Sequence, residues 1–370
     1  MFRAEMRKIL RPGIIGLIIL ISVLMYYSFM SWTIKPFKGY DGTDSMNVKM
    51  EICKDLINKY GNSIEEEAPE RMINGYQDMQ VILNSFIAGE RLFSDNGVNN
   101  YNDFRKYEQN AINGIEGYDY NIYAGMRNLI EHETEESTMY YAEYESIIQK
   151  YEESGRTRPG ILPFEIITYA SDFFVYLIIG CMVCAFLLAA PVMVTDRAEN
   201  VLPNQYSSKN GKKIFGLQYL CMNVSVTVLV SILMSAALLI WWKSTETQIF
   251  ADSAVNSFMN SKISVINLTY GQMINYYIII AYILTLGSSN IVFFLSSNSV
   301  NVISMLIKAV PVLIVGCLVG LLMKYMCCTD NSIYKVFRIP YCEVMVAAII
   351  FILGISLNIL YYCRLKRNDC

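Results

Sequence analysis

The sequence predicts an all-α, polytopic membrane protein with six transmembrane helices, an N-terminal interfacial helix and a mostly helical extracellular domain. Three observations carry that prediction. Of the 370 residues, 54% are hydrophobic and only 17% charged, a balance unusual for a soluble domain. The apolar residues cluster into charge-free runs at 12–34, 173–195, 214–242, 263–307 and 344–363, and a helix needs about 20 residues to cross the hydrocarbon. The fourth run is long enough for more than one crossing. It contains a polar turn, "SSNSVN" (296–301), and continues past Lys308 through "AVPVLIVGCLVGLLM".

The chain starts with "MFRAEMRKILRPG". At helical spacing Phe2, Met6, Ile9 and Leu10 share one side, and Arg3, Arg7, Lys8 and Arg11 take the other. Segment 1–12 therefore reads as a cytosolic amphipathic helix, its apolar side in lipid and its basic side toward headgroups or an acidic partner. The plainer alternative is a basic flank to the first span. Pro12 and Gly13 permit a bend before that span, 13–33. A cleaved signal peptide would have a shorter core and small residues at its end. Here the run ends in "MYYSFMSW", so it reads as an anchor.

Segment 34–164 is a domain between spans one and two. It holds most of the acidic surplus and shows helical periodicity over 45–154. Met46, Met50, Cys53 and Ile57 line one face of a helix ending at Gly61. A second helix follows Pro69 and ends before "SDNG" (94–97), and a third runs from Asn121 to the stop at "SGRTRPG". Tyrosines crowd 101–151. Either they pack the helices, or they form a surface for a peptide or antibiotic. His132 beside Glu135 and Glu136 reads as part of a solvated acidic face, with a loose metal site as the alternative.

Segment 165–370 holds the remaining spans, at 170–194, 214–242, 272–295, 302–325 and 342–363. With the N-terminus in the cytosol, the inner segments carry Arg3, Arg7, Lys8, Arg11, Arg197, Lys209, Lys212, Lys213, Arg364, Lys366 and Arg367. The short outer loops carry Lys243, Lys262, Lys324, Lys335 and Arg338. The bias toward positive inner segments places both termini in the cytosol. The ten cysteines fall mostly in or beside spans, where a thiol acts as a small hydrophobe; "CMVC" (181–184) reads as packing. Cys327, Cys328 and Cys342 leave room for one bridge in the last outer loop.

Polar residues inside spans are costly and face a neighbour or a cavity. Asn223, Thr227, Ser288, Ser289 and Asn290 are candidates for a translocation path, with hydrogen bonding between or within helices as the alternative. No carboxylate stands at a span centre, which argues against proton- or sodium-coupled transport.

Between spans two and three lies "VTDRAENVLPNQYSSKNGKKIFG" (194–216). A bare hairpin needs only a few residues, so the longer mixed-charge segment 195–213 suggests a small structure offering charges to a partner. Glu199, Ser207, Ser208, Gly211 and Lys212 can be laid on a pattern found in the type 2 permeases of ATP-binding-cassette (ABC) transporters, which the chain resembles. Asn200 stands where that family often has Gly, Pro203 interrupts the hydrophobic stretch, and Gln218 lies near a frequent Lys. The six-span layout covers the chain apart from 34–164.

The resemblance implies an exporter permease in a bacterial cytoplasmic membrane, paired with a second permease subunit, identical or homologous. Two copies of a separate cytosolic ATPase would hold ATP and Mg, leaving this chain without a cofactor of its own. It also implies a hydrophobic or amphipathic substrate: a peptide, an antibiotic or a lipid-like molecule. Segment 195–213 would then be the coupling element, with Asp196, Arg197, Glu199, Lys209, Lys212 and Lys213 meeting the ATPase.

The residues themselves exclude several classes. No G-x-x-x-x-G-K-[ST] loop is present, nor a zinc motif, a histidine-dependent triad or a nucleic-acid module. The chain is therefore not expected to be an enzyme by itself. The competing reading is a membrane receptor whose outer helical domain binds a peptide or drug and signals through an associated ATPase or kinase.

Overall fold

The computed structural model describes residues 2–38, 45–60, 81–133, 160–199, 211–257 and 264–367. These divide into two units. One comprises 1–38, 165–251 and 262–370, the other 39–164 and 252–261.

The first unit is a helix bundle. Six helices among the described residues are long and apolar enough to cross a membrane, so the protein is a multi-pass membrane protein. They are span 1 (Pro12–Lys38), span 2 (Phe164–Ala198), span 3 (Ile214–Thr245), span 4 (Tyr270–Ser297), span 5 (Val302–Leu322) and span 6 (Cys342–Leu365). A short helix, α1 (Phe2–Ile9), precedes them. No strand is found among the described residues; isolated bridge positions include Gly160, Ala254, Ser264 and Cys328, the last two paired antiparallel.

Burial ranks the spans. In span 2, 72% of the apolar window is buried, against 11% in spans 1 and 5. Between Phe173 and Thr195 span 2 carries no charge, and it is the most buried of the six spans. Span 4 also presents much of its surface to neighbours, mainly span 6. Gly287 and Gly354 make that seam close. A Cβ on Gly354 would lie 2.6 Å from the Gly287 carbonyl oxygen, and one on Gly287 would lie 2.9 Å from the Phe351 Cα. Small residues at a helix crossing let backbones approach where lipid supplies no hydrophobic drive for association. Gly320 of span 5 plays the same part against Ile179 of span 2.

Caps fix the spans' ends. Thr269 and Gln272 form a reciprocal capping box at span 4, and Asn301 accepts the Ser304 N–H at span 5. Pro12 starts span 1 at a position where its missing N–H would be unpaired anyway. Span 1 widens into a π turn over Tyr26–Met30, closed by the Ser31 N–H on the Tyr26 carbonyl.

Span 2 is longer than the 170–194 read from the sequence. It starts at Phe164 and, after a break at Ala190–Pro191, continues to Ala198. The charges at the ends of its charge-free run, 173–195, therefore lie on it, and they are paired. Asp172 is buried and meets Lys324 at 2.6 Å. Ser171 beside it shares a 2.6 Å hydrogen bond with Tyr277 and accepts the Tyr325 N–H. Lys324 is raised from its ordinary pKa: burial lowers it, but the hydrogen bond and charge of Asp172 outweigh that.

The second unit has a core of Leu83, Ile87, Phe93, Phe104, Tyr107, Tyr123, Met126 and Ile130, among others. The helix Ser45–Tyr60 buries Met46, Met50 and Cys53, as its periodicity predicts. Helical structure covers 81–89 and Arg91–Ser94 before the turn at 95–97, and a further helix spans Tyr120–Glu133. One helix, Tyr101–Ile112, was not anticipated. It buries Tyr101, Phe104, Tyr107 and Ala111, and Asn100 caps it by accepting the Asp103 N–H. Tyr101, Tyr107 and Tyr123 thus pack the helices, with Tyr123 donating to Glu108 at 2.7 Å. Residues 61–80, 134–159 and the side chain of His132 lie outside the described residues.

Cys181 and Cys184 are buried inside the bundle, as packing requires, and Cys327, Cys328 and Cys342 are buried and not joined in a disulfide. The bridge considered for the last outer loop is not formed.

Candidate functional site

The polar residues at the α1 end of the bundle converge on the last turns of span 2. Asp196 is 1% exposed there. The Lys8 ammonium of α1 lies 3.2 and 3.1 Å from its two carboxylate oxygens, and 3.1 Å from Oε1 of Glu5. From span 3, Gln218 donates its amide to Asp196 Oδ2 at 2.7 Å and to Glu5 Oε2 at 3.2 Å. Glu5, Asp196 and Gln218 are all buried, while Lys8 keeps about a third of its side chain exposed. Buried carboxylates are tolerated only when paired and hydrogen-bonded, and here two share one ammonium and one amide. The Gln218 carbonyl oxygen is buried without a partner. Lys8 is raised in pKa. Its burial works against the charge, and the hydrogen bonds and charges of Asp196 and Glu5 more than offset that.

Arg197, the next residue, points to the C-terminal end of span 4. Its guanidinium donates to the Ser297 carbonyl at 2.7 Å and to the Ser299 carbonyl. Tyr361 of span 6 donates to the same Ser297 carbonyl at 3.3 Å, Lys308 of span 5 reaches the Asn298 carbonyl at 3.3 Å, and Ser296 Oγ donates to Ala190 at 2.7 Å. Helix C-termini carry unpaired carbonyls and a partial negative charge. Two cations and a phenol satisfy them here. The end of span 2 is thereby joined to α1 and to spans 3 and 4, and through the span 4 terminus to spans 5 and 6.

Of the residues read as meeting the ATPase, Asp196 is buried against Lys8 and Gln218, and Arg197 is half-buried and bonds the span 4 carbonyls. Glu199 is exposed. Lys209, and with it Pro203, Ser207 and Ser208, lies outside the described residues, as do the side chains of Lys212 and Lys213. α1 also differs from the expected two-sided helix. Phe2, Arg3, Arg7 and Leu10 are exposed, but Ile9 is 2% exposed and Glu5 lies beneath with it, one turn apart, against the bundle. Met6 Sδ is 3.5 Å from Ser225 Oγ of span 3. Glu5 escaped notice because its charge places it with the polar residues, and only the paired Lys8 and Gln218 make its burial tolerable.

The candidate path residues are brought together only in part. Asn223 and Asn290 exchange amide hydrogen bonds at 3.3 and 3.2 Å between spans 3 and 4. Asn358 of span 6 donates to the Asn290 carbonyl at 2.7 Å. Ser288 and Ser289 bond the Thr285 carbonyl of their own helix, and Thr227 bonds the Asn223 carbonyl while facing outward. The sequence reading missed Asn358; a lone Asn in an apolar run is the signal that would have found it. No group of three or more metal-ligating side chains is found among the described residues.

Comparison with known proteins gives no relative: no family model, no curated protein and no solved structure matches the chain.

Proposed function

We propose that the chain is the membrane-spanning permease subunit of an ABC exporter of the type 2 class, working with two copies of a separate cytosolic ATPase and a second permease subunit. The reading joins the six-span layout and the pattern around Glu199 and Lys212 to one structural observation. Asp196 and Arg197, adjacent on the last turn of span 2, tie the end of that span to α1, span 3 and span 4. A partner pressing on the segment between spans 2 and 3 would therefore move several spans together. Coupling between distant sites needs such a connected, stiff element.

In this reading the chain holds no nucleotide. ATP and Mg belong to the ATPase, and the exposed Glu199 with Lys209, Lys212 and Lys213 supplies contacts to it. The substrate is a hydrophobic or amphipathic peptide, antibiotic or lipid-like molecule. The membrane is a bacterial cytoplasmic membrane, with both termini in the cytosol.

The test is co-purification of the tagged full-length chain from its native membrane. An accompanying subunit with a phosphate-binding loop, hydrolysing ATP, supports the proposal. Peptide or drug binding without any such subunit would favour a receptor.

A further inference from the structure

Spans 1, 2 and 3 line an apolar cavity of about 330 Å³ that is open on one side. Its wall is made where span 1 winds into the π turn of Tyr26–Met30, and π turns inside α-helices are frequent at functional positions. Gly180 and Ala237 leave the space that larger side chains would fill, and Met30 and Leu177 close its depth. At the mouth, Val23, Tyr27 and Ile240 are exposed, Tyr27 by 72%. They continue the outward apolar faces of Ile19, Leu20 and Leu24 on span 1 and of Ile232 and Leu239 on span 3. In a membrane-spanning bundle those faces meet hydrocarbon.

We propose that this cavity binds one acyl chain of a phospholipid from the surrounding bilayer. The leaflet follows from the aromatic side chains. Trp32, 41% exposed, and Tyr169 pack edge to face at 6.4 Å at one end of spans 1 and 2. Such aromatic residues mark the level of the headgroups. A lipid with its headgroup at that level would send its chain down past Phe29 and Tyr176 into the cavity. The lining offers it mostly methyl, methylene and ring surface, as sites for apolar ligands do. The assignment depends on membrane insertion and not on the proposed transport activity.

The test reconstitutes the full-length protein in phosphatidylglycerol nanodiscs carrying a phospholipid with a diazirine in one acyl chain. After irradiation, labelled peptides are mapped by mass spectrometry. Labelling at Tyr26–Met30 and around Gly180 should exceed severalfold that on the exposed face of span 5 at Ile314 and Leu318. A Cβ on Gly180 would meet Met25 only at ordinary contact distance, 3.8 Å, so Gly180→Leu should fold and occupy the space. Ala237→Phe fills it from span 3. Both should lower cavity labelling severalfold and leave span 5 unchanged. Cavity labelling no higher than on span 5, or unaffected by both substitutions, overturns the assignment. Labelling that disappears when two copies share a disc would give the cavity to a second copy and equally overturn it.

Discussion

Lys8 and Asp196, separated by 188 residues, meet through both carboxylate oxygens of Asp196 at the end of span 2. The pair makes α1 part of the bundle rather than a flank lying beside it. Removing Lys8 leaves the buried Asp196 carboxylate without its ammonium. Lys8→Met should therefore destabilise α1 by about 1–3 kcal/mol, the usual range for a buried group stripped of its partner. Faster hydrogen exchange over residues 3–10 in the full chain would register it. A double-mutant cycle with Asp196→Asn should show clear coupling; additive effects would mean that the pair contributes nothing.

The same pair sets a pH dependence. Lys8 is raised above its ordinary value of 10.5 in the folded protein. A raised lysine stabilises the fold fully below its unfolded value, and that contribution disappears as pH climbs through the folded one. Protection of α1 should be insensitive to lysine titration at neutral pH and fall only in strong alkali. The Lys8→Met protein should lack the alkaline step, a difference that amide exchange as a function of pH can detect.

The seam between spans 4 and 6 predicts an asymmetry among glycines. A Cβ on Gly354 would strike the Gly287 carbonyl at 2.6 Å and Asn290 Cβ at 2.9 Å, whereas Gly16 of span 1 has nothing within 4 Å. Gly354→Ala should cost roughly 1–3 kcal/mol through overpacking. Gly16→Ala should be neutral or slightly stabilising. Thermal unfolding of the two proteins in the same detergent compares them directly.

In the second unit, Phe104 stands between Phe93, Tyr101 and Tyr123, with ring centroids 6.0–6.2 Å away. Phe104→Ala should cost about 3–5 kcal/mol in that unit. Amide exchange in the full chain should rise across 81–130 and stay unchanged in spans 4 and 6. A uniform rise over the whole chain would contradict the division into two units.

Much of this architecture was legible because hydrocarbon imposes a simple rule on sequence: long charge-free runs become spans. The rule failed where charges are paired out of sight. Asp172 and Asp196 bound the charge-free run 173–195, yet both, and Arg197 after them, lie on the helix because Lys324, Lys8 and the span 4 carbonyls answer them. Glu5 was hidden for the same reason. The helix Tyr101–Ile112 was missed because its buried face is built largely from tyrosine and phenylalanine among polar neighbours. Its signal was the Asn100 cap with Asp103 three residues on. Asn223 and Asn290 were visible as unusual residues, but their mutual pairing depends on how spans 3 and 4 cross, which no periodicity encodes.

The central claim is that work from a separate ATPase enters through the segment between spans 2 and 3. Proteoliposomes holding the co-purified complex test it when ATP hydrolysis and substrate efflux are measured together. Reversing charge at both Glu199 and Lys212 (Glu199→Lys with Lys212→Glu) should leave the subunit folded in the membrane and separate hydrolysis from efflux, so that ATP is consumed without transport. Transport and ATPase association both unchanged in that protein would contradict the claim.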